Sequence, residues 1–154
     1  DTSKGTFTAE LDPKAAPIGV NNFIVLARYK FYDGIPFYRI APDFALQAGD
    51  PIGEPWGTHG PGYTIEEEPP ADLTYEKYDL AMANSSSPKS TGSQFFVASG
   101  DTAALNGSPT YTYLGKVVDG TDVIDTINKV PTAGANGDTP TEAVIINSVT
   151  IEER

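Results

Sequence analysis

The sequence predicts a mainly β protein: an antiparallel sheet closed into a barrel, with two helices covering its open ends. Apolar residues recur at a period of two in several short segments, and at helical spacing in only two. The hairpin connections are too short for parallel crossovers. Fifteen glycines and 13 prolines supply the turns that many short elements need.

The elements follow in chain order. In GTFTAEL, Phe7, Ala9 and Leu11 alternate with Thr6, Thr8 and Glu10, the pattern of a strand with one buried face. From Pro17 to about Arg28, Val20, Phe23, Ile24 and Ala27 recur at helical spacing, and Pro17 suits a first-turn position, which predicts an amphipathic helix. YDG then turns the chain. Residues 36 to 50, PFYRIAPDFALQAGD, read as a strand, a turn at Pro42 and Asp43, and a second strand. Residues 50 to 70, rich in Gly, Pro and Glu, predict a long surface loop. YDLAMA and SQFFVA are two more strands, separated by the loop NSSSPKSTG, and YTYLGKVV is another. TDVIDTINKV predicts a second helix with Val123, Ile124 and Ile127 on one face and Thr121 as its cap. A Gly/Pro loop and the closing strand AVIINSVTI complete the chain. No composition shift divides the 154 residues, so residues 1–154 are expected to form one domain.

Composition narrows the function classes. Ten Lys plus Arg against 21 Asp plus Glu give a formal charge of −11, which repels a phosphate backbone or an anionic membrane surface, so neither nucleic acid nor membrane is an expected partner. The absence of cysteine removes disulfides, thiolate metal sites and cysteine nucleophiles, but leaves the compartment open. No apolar run approaches the roughly 20 residues of a membrane span and no leader pattern opens the chain, so a soluble domain is expected. Starting at Asp1, it is consistent with a processed product or a piece of something longer.

Strand parity sorts the candidate site. Tyr38, Ile40, Leu46 and Ala48 fall on an interior face, whereas Arg39, Ala45 and Gln47 point outward, with Phe44 at the strand's start. In SQFFVA, Phe95 and Val97 take one parity and Gln94 and Phe96 the other, so two strands each offer a glutamine and a phenylalanine on one face. Taken alone, an outward strand arginine in an acidic chain is most simply paired with a carboxylate, and Phe96 is most simply core. His59, the single histidine, lies in a Gly-rich loop without a ligand partner, so no metal site is expected. The acidic run Glu66 to Glu68 reads as a solvated face rather than as paired catalytic carboxylates, which leaves a carbohydrate-binding or hydrolytic barrel using Trp56 and Tyr63 as the weakest reading. The acceptor patterns NSS at Asn84 and NGS at Asn106 read as unmodified loop residues.

Three segments, FYRIAPDFALQAGDP, LAMANSSSPKSTGSQFFV and LNGSPTYTYLGKVVDG, resemble the signature segments of the cyclophilins, the peptidyl-prolyl cis-trans isomerases. The resemblance runs in order from Gly5 to about Ile151. It implies a closed eight-stranded antiparallel β-barrel capped by two α-helices, and an enzyme that rotates X-Pro bonds in proline-containing peptides and unfolded proteins. A monomer needing no cofactor or metal is expected. Carried over by position, the family's catalytic arginine falls on Arg39, with Gln47 and Phe44 beside it. The proline pocket falls on Phe44, Ala45, Phe96, Leu105 and Tyr111, and the peptide-binding positions on Gln47, Ala83, Asn84 and Gln94. The chain departs from the family at Ala45, usually methionine, at Tyr111, commonly histidine, and at Ala104, where many members have tryptophan. It also carries one extra residue in NSSSPKST and two in GSPTYT. Without the rim tryptophan, weak binding of cyclosporin is implied. The alternative is a peptide-binding scaffold on the same barrel. That scaffold would tolerate capture of Arg39 by a carboxylate, whereas an isomerase needs its guanidinium free to donate.

Overall fold

In the computed structural model, which describes residues 1–85, 91–106 and 111–153, the two-residue periodicities become short strands. These are β1 (Thr8–Leu11), β2 (Arg39–Ala41), β3 (Ala45–Ala48), β4 (Asp79–Met82), β5 (Phe95–Ala98), β6 (Tyr113–Asp119), β7 (Thr132–Ala133) and β8 (Thr139–Pro140). The helices are α1 (Pro17–Arg28), α2 (Ala103–Asn106) and α3 (Thr121–Asn128). The protein is therefore mainly β with few helices, and every strand pairing is antiparallel.

The main sheet has six strands in the order β1-β6-β4-β5-β3-β2, and β7 pairs with β8 apart from it. The anticipated closing strand AVIINSVTI is not a continuous strand. Its bridges go to two different partners, Ile145 to Pro36 and Ile146 to Thr2. Backbone hydrogen bonds flank them: the Phe37 N–H donates to the Val144 carbonyl at 2.8 Å, the Ile146 N–H to the Ile35 carbonyl at 2.9 Å and the Ser3 N–H to the Ile145 carbonyl at 2.9 Å, while Val144 and Ile146 are buried. Backbone hydrogen bonds to residues on both sides, together with side-chain burial, hold the segment where one continuous ladder was expected. The β7–β8 hairpin lies inside the stretch read as a Gly/Pro loop, and α2 was not anticipated; at two and four residues, such elements are too short to show a period.

Alternation decides the core. Ile40, Leu46, Ala48, Leu80, Met82, Phe95 and Val97 enter the main apolar cluster with Val20, Phe23, Leu26 and Ala27 of α1 and Ile124 and Ile127 of α3. Both anticipated helices thus pack their apolar stripe on one sheet face. Phe95 sits at the centre, edge-on to Phe23 at 5.4 Å and to Tyr32 at 5.3 Å. The helix ends differ from expectation. Thr121 is the first residue of α3 rather than its cap; Gly120 takes the N-cap at φ 73°, where a Cβ would lie 2.4 Å from the Thr6 carbonyl oxygen.

The acidic run is not simply solvated. Glu68 Oε2 accepts from the backbone N–H of Ile18 at 2.9 Å and of Gly19 at 2.8 Å, so a residue 50 positions away satisfies the orphan amides at the start of α1. Glu67 Oε1 accepts from the Thr91 N–H and hydroxyl, both at 3.3 Å, and only Glu66 is exposed. Residues 86–90 of the NSSSPKSTG loop and the two-residue insertion within 107–110 lie outside the described residues.

Candidate active site

Strand register assembles the site. Arg39 pairs with Gln47 across β2 and β3, Gln47 with Phe96 across β3 and β5, and Phe96 with Ala81 across β5 and β4. Directly opposed residues share a face, so arginine, glutamine and phenylalanine form one row on the side away from the main core. Phe96 joins that row to a second apolar cluster, which also contains Ala45, Ala81, Ala83, Leu105, Tyr75 and Tyr113, with Phe44 and Tyr111 packed against it. Every anticipated apolar pocket residue is brought together here. Phe96 is more enclosed than a groove-facing ring was expected to be, at 5 % exposed, because Tyr111 stands edge-on to it at 5.2 Å.

Tyr75 holds two walls of this cluster. Its hydroxyl donates to the Tyr111 carbonyl. Its N–H donates to Asn106 Oδ1 at 2.6 Å, while its carbonyl accepts from Asn106 Nδ2 at 2.9 Å and from the Thr102 hydroxyl at 2.7 Å. Burial pushes the Tyr75 phenol well above its ordinary range, so it stays a donor.

The polar half of the site is an ordered chain of amides. Gln94 Nε2 donates to the His59 carbonyl at 2.8 Å, which turns Gln94 Oε1 toward the sheet. That oxygen accepts from the Tyr38 hydroxyl at 2.6 Å and from Gln47 Nε2 at 3.2 Å. Gln47 must then present its own oxygen toward Arg39, whose Nη1 lies 3.5 Å away. Tyr38 was expected in the interior. Instead Phe37 is buried and Tyr38 is half-buried on the site side, because strict alternation begins only at Arg39, after the isolated bridge at Pro36. Its ring stacks on Trp56 at 5.5 Å and 3°. Burial foremost, with the charge of Asp50 adding and that of Arg39 subtracting, raises the Tyr38 phenol and keeps it a donor.

Arg39 does have a carboxylate partner: Nε donates to Asp138 Oδ2 at 2.8 Å. His59 also has a partner that its Gly-rich surroundings did not announce. Asp50, with its side chain 0 % exposed, lies 3.2 Å from His59 Nδ1. It also accepts backbone N–H donors from Ile52, Gly53, Gly57, Thr58 and His59. Burial raises its pKa, but the backbone donors of Ile52, His59, Gly53 and Gly57 outweigh that, and the carboxyl ends below its ordinary range. Asp50 thereby folds the loop that carries the His59 carbonyl to Gln94.

Beside the amide chain lies a cavity of about 730 Å³ whose wall includes Gln47, Ala83, Asn84 and Gln94 as anticipated, together with His59 and Tyr63. Because Gln47 is also the register partner of Phe96, this cavity and the apolar cluster adjoin. Ala104, on α2, is exposed. Among the described residues, no three His, Cys, Asp or Glu side chains gather as a metal site, and no helix is long and apolar enough to cross a membrane.

Asp138, Asp50 and Tyr75 were not found from sequence. Asp138 is 99 residues from Arg39 and carries no local signal, whereas the Asp-Pro opening of a Gly-rich loop at Asp50 is a turn signal that could have marked it.

Residues 1–151 match the family model described as cyclophilin type peptidyl-prolyl cis-trans isomerase/CLD. The chain is 38 % identical to peptidyl-prolyl cis-trans isomerase A of Mycobacterium tuberculosis, over 97 % of this chain and 88 % of that protein. It is 37 % identical to peptidyl-prolyl cis-trans isomerase B of Streptomyces anulatus, over 99 % and 94 %. Among solved structures, it resembles a cyclophilin type peptidyl-prolyl cis-trans isomerase of Cryptosporidium parvum, determined in the presence of the dipeptide Ala-Pro. That likeness has a TM-score of 0.88 at 28 % identity and covers 99 % of this chain and 96 % of that one.

Proposed function

This chain belongs to the cyclophilin-type peptidyl-prolyl cis-trans isomerases, enzymes of protein folding that act on proline-containing peptides, and from that premise we propose that Arg39 is its catalytic residue. Gln47 and Phe44 complete the catalytic centre. The proline ring packs on Phe44, Ala45, Phe96, Leu105 and Tyr111, and the flanking peptide runs past Ala83, Asn84 and Gln94.

The chemistry follows from the amide. Rotation about an X-Pro bond meets a barrier of ~18–20 kcal/mol because the nitrogen lone pair is shared with the carbonyl. As the bond twists, the lone pair localises on nitrogen and becomes an acceptor. A guanidinium held beside it makes a hydrogen bond that the planar ground state does not offer, which is differential stabilisation of the transition state. Arginine keeps its charge near neutral pH and presents donors in a rigid plane. An apolar grip on the proline ring leaves the other side of the bond to turn. Nothing in this rotation requires a nucleophile, metal or cofactor.

The row Arg39, Gln47 and Phe96 on one sheet face carries the reading. One observation favours the alternative, a scaffold that binds without turnover: the Asp138 carboxylate at Arg39. It engages Nε, however, and the two terminal nitrogens are those that would reach a substrate. Titrating labelled protein with a short X-Pro peptide while following peptide exchange by NMR tests both readings. We expect accelerated exchange, with resonance shifts centred on Phe96, Leu105 and Tyr111. Binding at those residues without acceleration would support the scaffold.

The remaining features belong to the same reading. The bridges Thr2–Ile146 and Pro36–Ile145, with the Ile40 N–H donating to the Asp138 carbonyl at 2.8 Å, support closure of the sheet by the C-terminal segment into the family's eight-stranded barrel. We take residues 1–154 as one monomeric domain, and the charge of −11 supports partners other than nucleic acid.

A further inference from the structure

We propose that Asp138 is a positioning residue for isomerisation: by accepting the Nε hydrogen of Arg39 it aims the terminal guanidinium nitrogens at the twisting prolyl nitrogen. This rests on the assignment of Arg39 above.

An arginine on a strand surface, with its side chain 36 % exposed, has many rotamers open to it, and a donor that must meet a lone pair present only in the transition state gains from having one. Gln47 alone does not fix it, since 3.5 Å between Nη1 and the carboxamide oxygen is at the limit of a hydrogen bond. The Asp138 contact is of another kind: 2.8 Å, charge-assisted, and made to a carboxylate whose side chain is only 17 % exposed. Asp138 is itself referenced to the same strand. Its carbonyl accepts from the Ile40 N–H at 2.8 Å, one residue beyond Arg39, and the chain continues directly into β8, which pairs with β7. Both ends of the pair are therefore fixed to β2.

The choice of nitrogen matters. A carboxylate that gripped both terminal nitrogens side-on would occupy the donors that the reaction needs. Engagement through Nε holds the plane of the guanidinium and directs Nη1 toward Gln47, along the row that leads to Phe96. Sequestration and positioning predict opposite signs: removing a sequestering carboxylate frees the arginine and raises turnover, whereas removing a positioning one lowers it.

The test compares wild type, Asp138→Ala, Asp138→Asn, Arg39→Ala and the double variant Arg39→Ala/Asp138→Ala. Exchange on an Ala-Pro peptide is measured by NMR across peptide concentrations, separating turnover from affinity. We expect Asp138→Ala to lower turnover on the order of 10-fold with little change in affinity. Asp138→Asn, whose amide oxygen can still accept from Nε, recovers most of that loss. In the Arg39→Ala background, Asp138→Ala has no further effect. The Arg39 Nε–H resonance of the wild type exchanges slowly with water, a readout independent of whether any variant folds. Turnover of Asp138→Ala at or above wild type, an equal loss from Asp138→Asn, or an unprotected Nε–H in the wild type overturns the proposal. Wild-type turnover by Arg39→Ala would instead overturn the assignment of Arg39 itself.

Discussion

Phe95 and Phe96, adjacent in β5, belong to two different apolar clusters: Phe95 lies among Phe23, Tyr32 and Phe37, and Phe96 among Ala45, Leu105 and Tyr111. A strand turns successive side chains to opposite faces, so one peptide unit separates a residue of the main core from one that we propose meets substrate.

The two rings are almost equally buried, at 4 % and 5 %, so both truncations cost stability. Phe95→Ala should lower it by about 3–5 kcal/mol, as for a fully enclosed ring. Phe96→Ala should cost less, because its cluster is smaller, yet it should reduce isomerisation in protein that remains folded. Thermal melts paired with exchange rates check this. Full turnover by folded Phe96→Ala would remove Phe96 from the proline pocket.

Asp50 ties stability to acid. Its folded pKa lies below the unfolded value, so its ionised form contributes stability that is fully present above the unfolded pKa near 4 and is lost as pH falls through the folded pKa. Asp50→Asn should cost about 2 kcal/mol at pH 7, the range for hydrogen bonds to a charged group. The difference from wild type should shrink below about pH 4. Urea melts at pH 7 and pH 3 measure it; an unchanging difference would show that the charge is not what holds the loop.

Side chains with a periodic or compositional signal were legible in the sequence, and those placed by long-range contact were not. The row Arg39, Gln47, Phe96 follows from alternation in two segments, and α1 from the spacing of Val20, Phe23 and Ala27, because both depend on neighbours a few residues away. Tyr38 breaks the alternation because it lies one residue before β2 begins. Glu68 at the start of α1, Tyr75 beneath Tyr111 and Asp138 at Arg39 are pairings across 36 to 99 residues, and no periodicity reports them. The closing segment is not a continuous strand because its adjacent bridges, Ile145 to Pro36 and Ile146 to Thr2, go to different partners and neither extends into a ladder.

Ala104 is exposed on α2, at the position where the resemblance places the tryptophan that commonly covers cyclosporin. Trp56 is engaged elsewhere, with one face of its ring stacked on Tyr38. Loss of a buried aromatic anchor costs at least ~2 kcal/mol, or about 30-fold in affinity. The expected result is an active isomerase that binds cyclosporin weakly, with Ala104→Trp tightening the inhibitor far more than it alters turnover. Calorimetric titration of both proteins decides it; nanomolar binding by the wild type would contradict the prediction.

The most direct measurement of the central claim is the exchange rate of an X-Pro peptide with wild type and with folded Arg39→Ala. The side chain is on the outer face of β2, so the fold should survive its removal, which circular dichroism and a melt would confirm. If the guanidinium stabilises the twisted amide as a preorganised donor stabilises an oxyanion, its loss costs roughly 2.7–4 kcal/mol, or 10²–10³-fold in turnover. A fall of that size with peptide binding retained is the predicted result; turnover equal to wild type in a folded Arg39→Ala protein would contradict it.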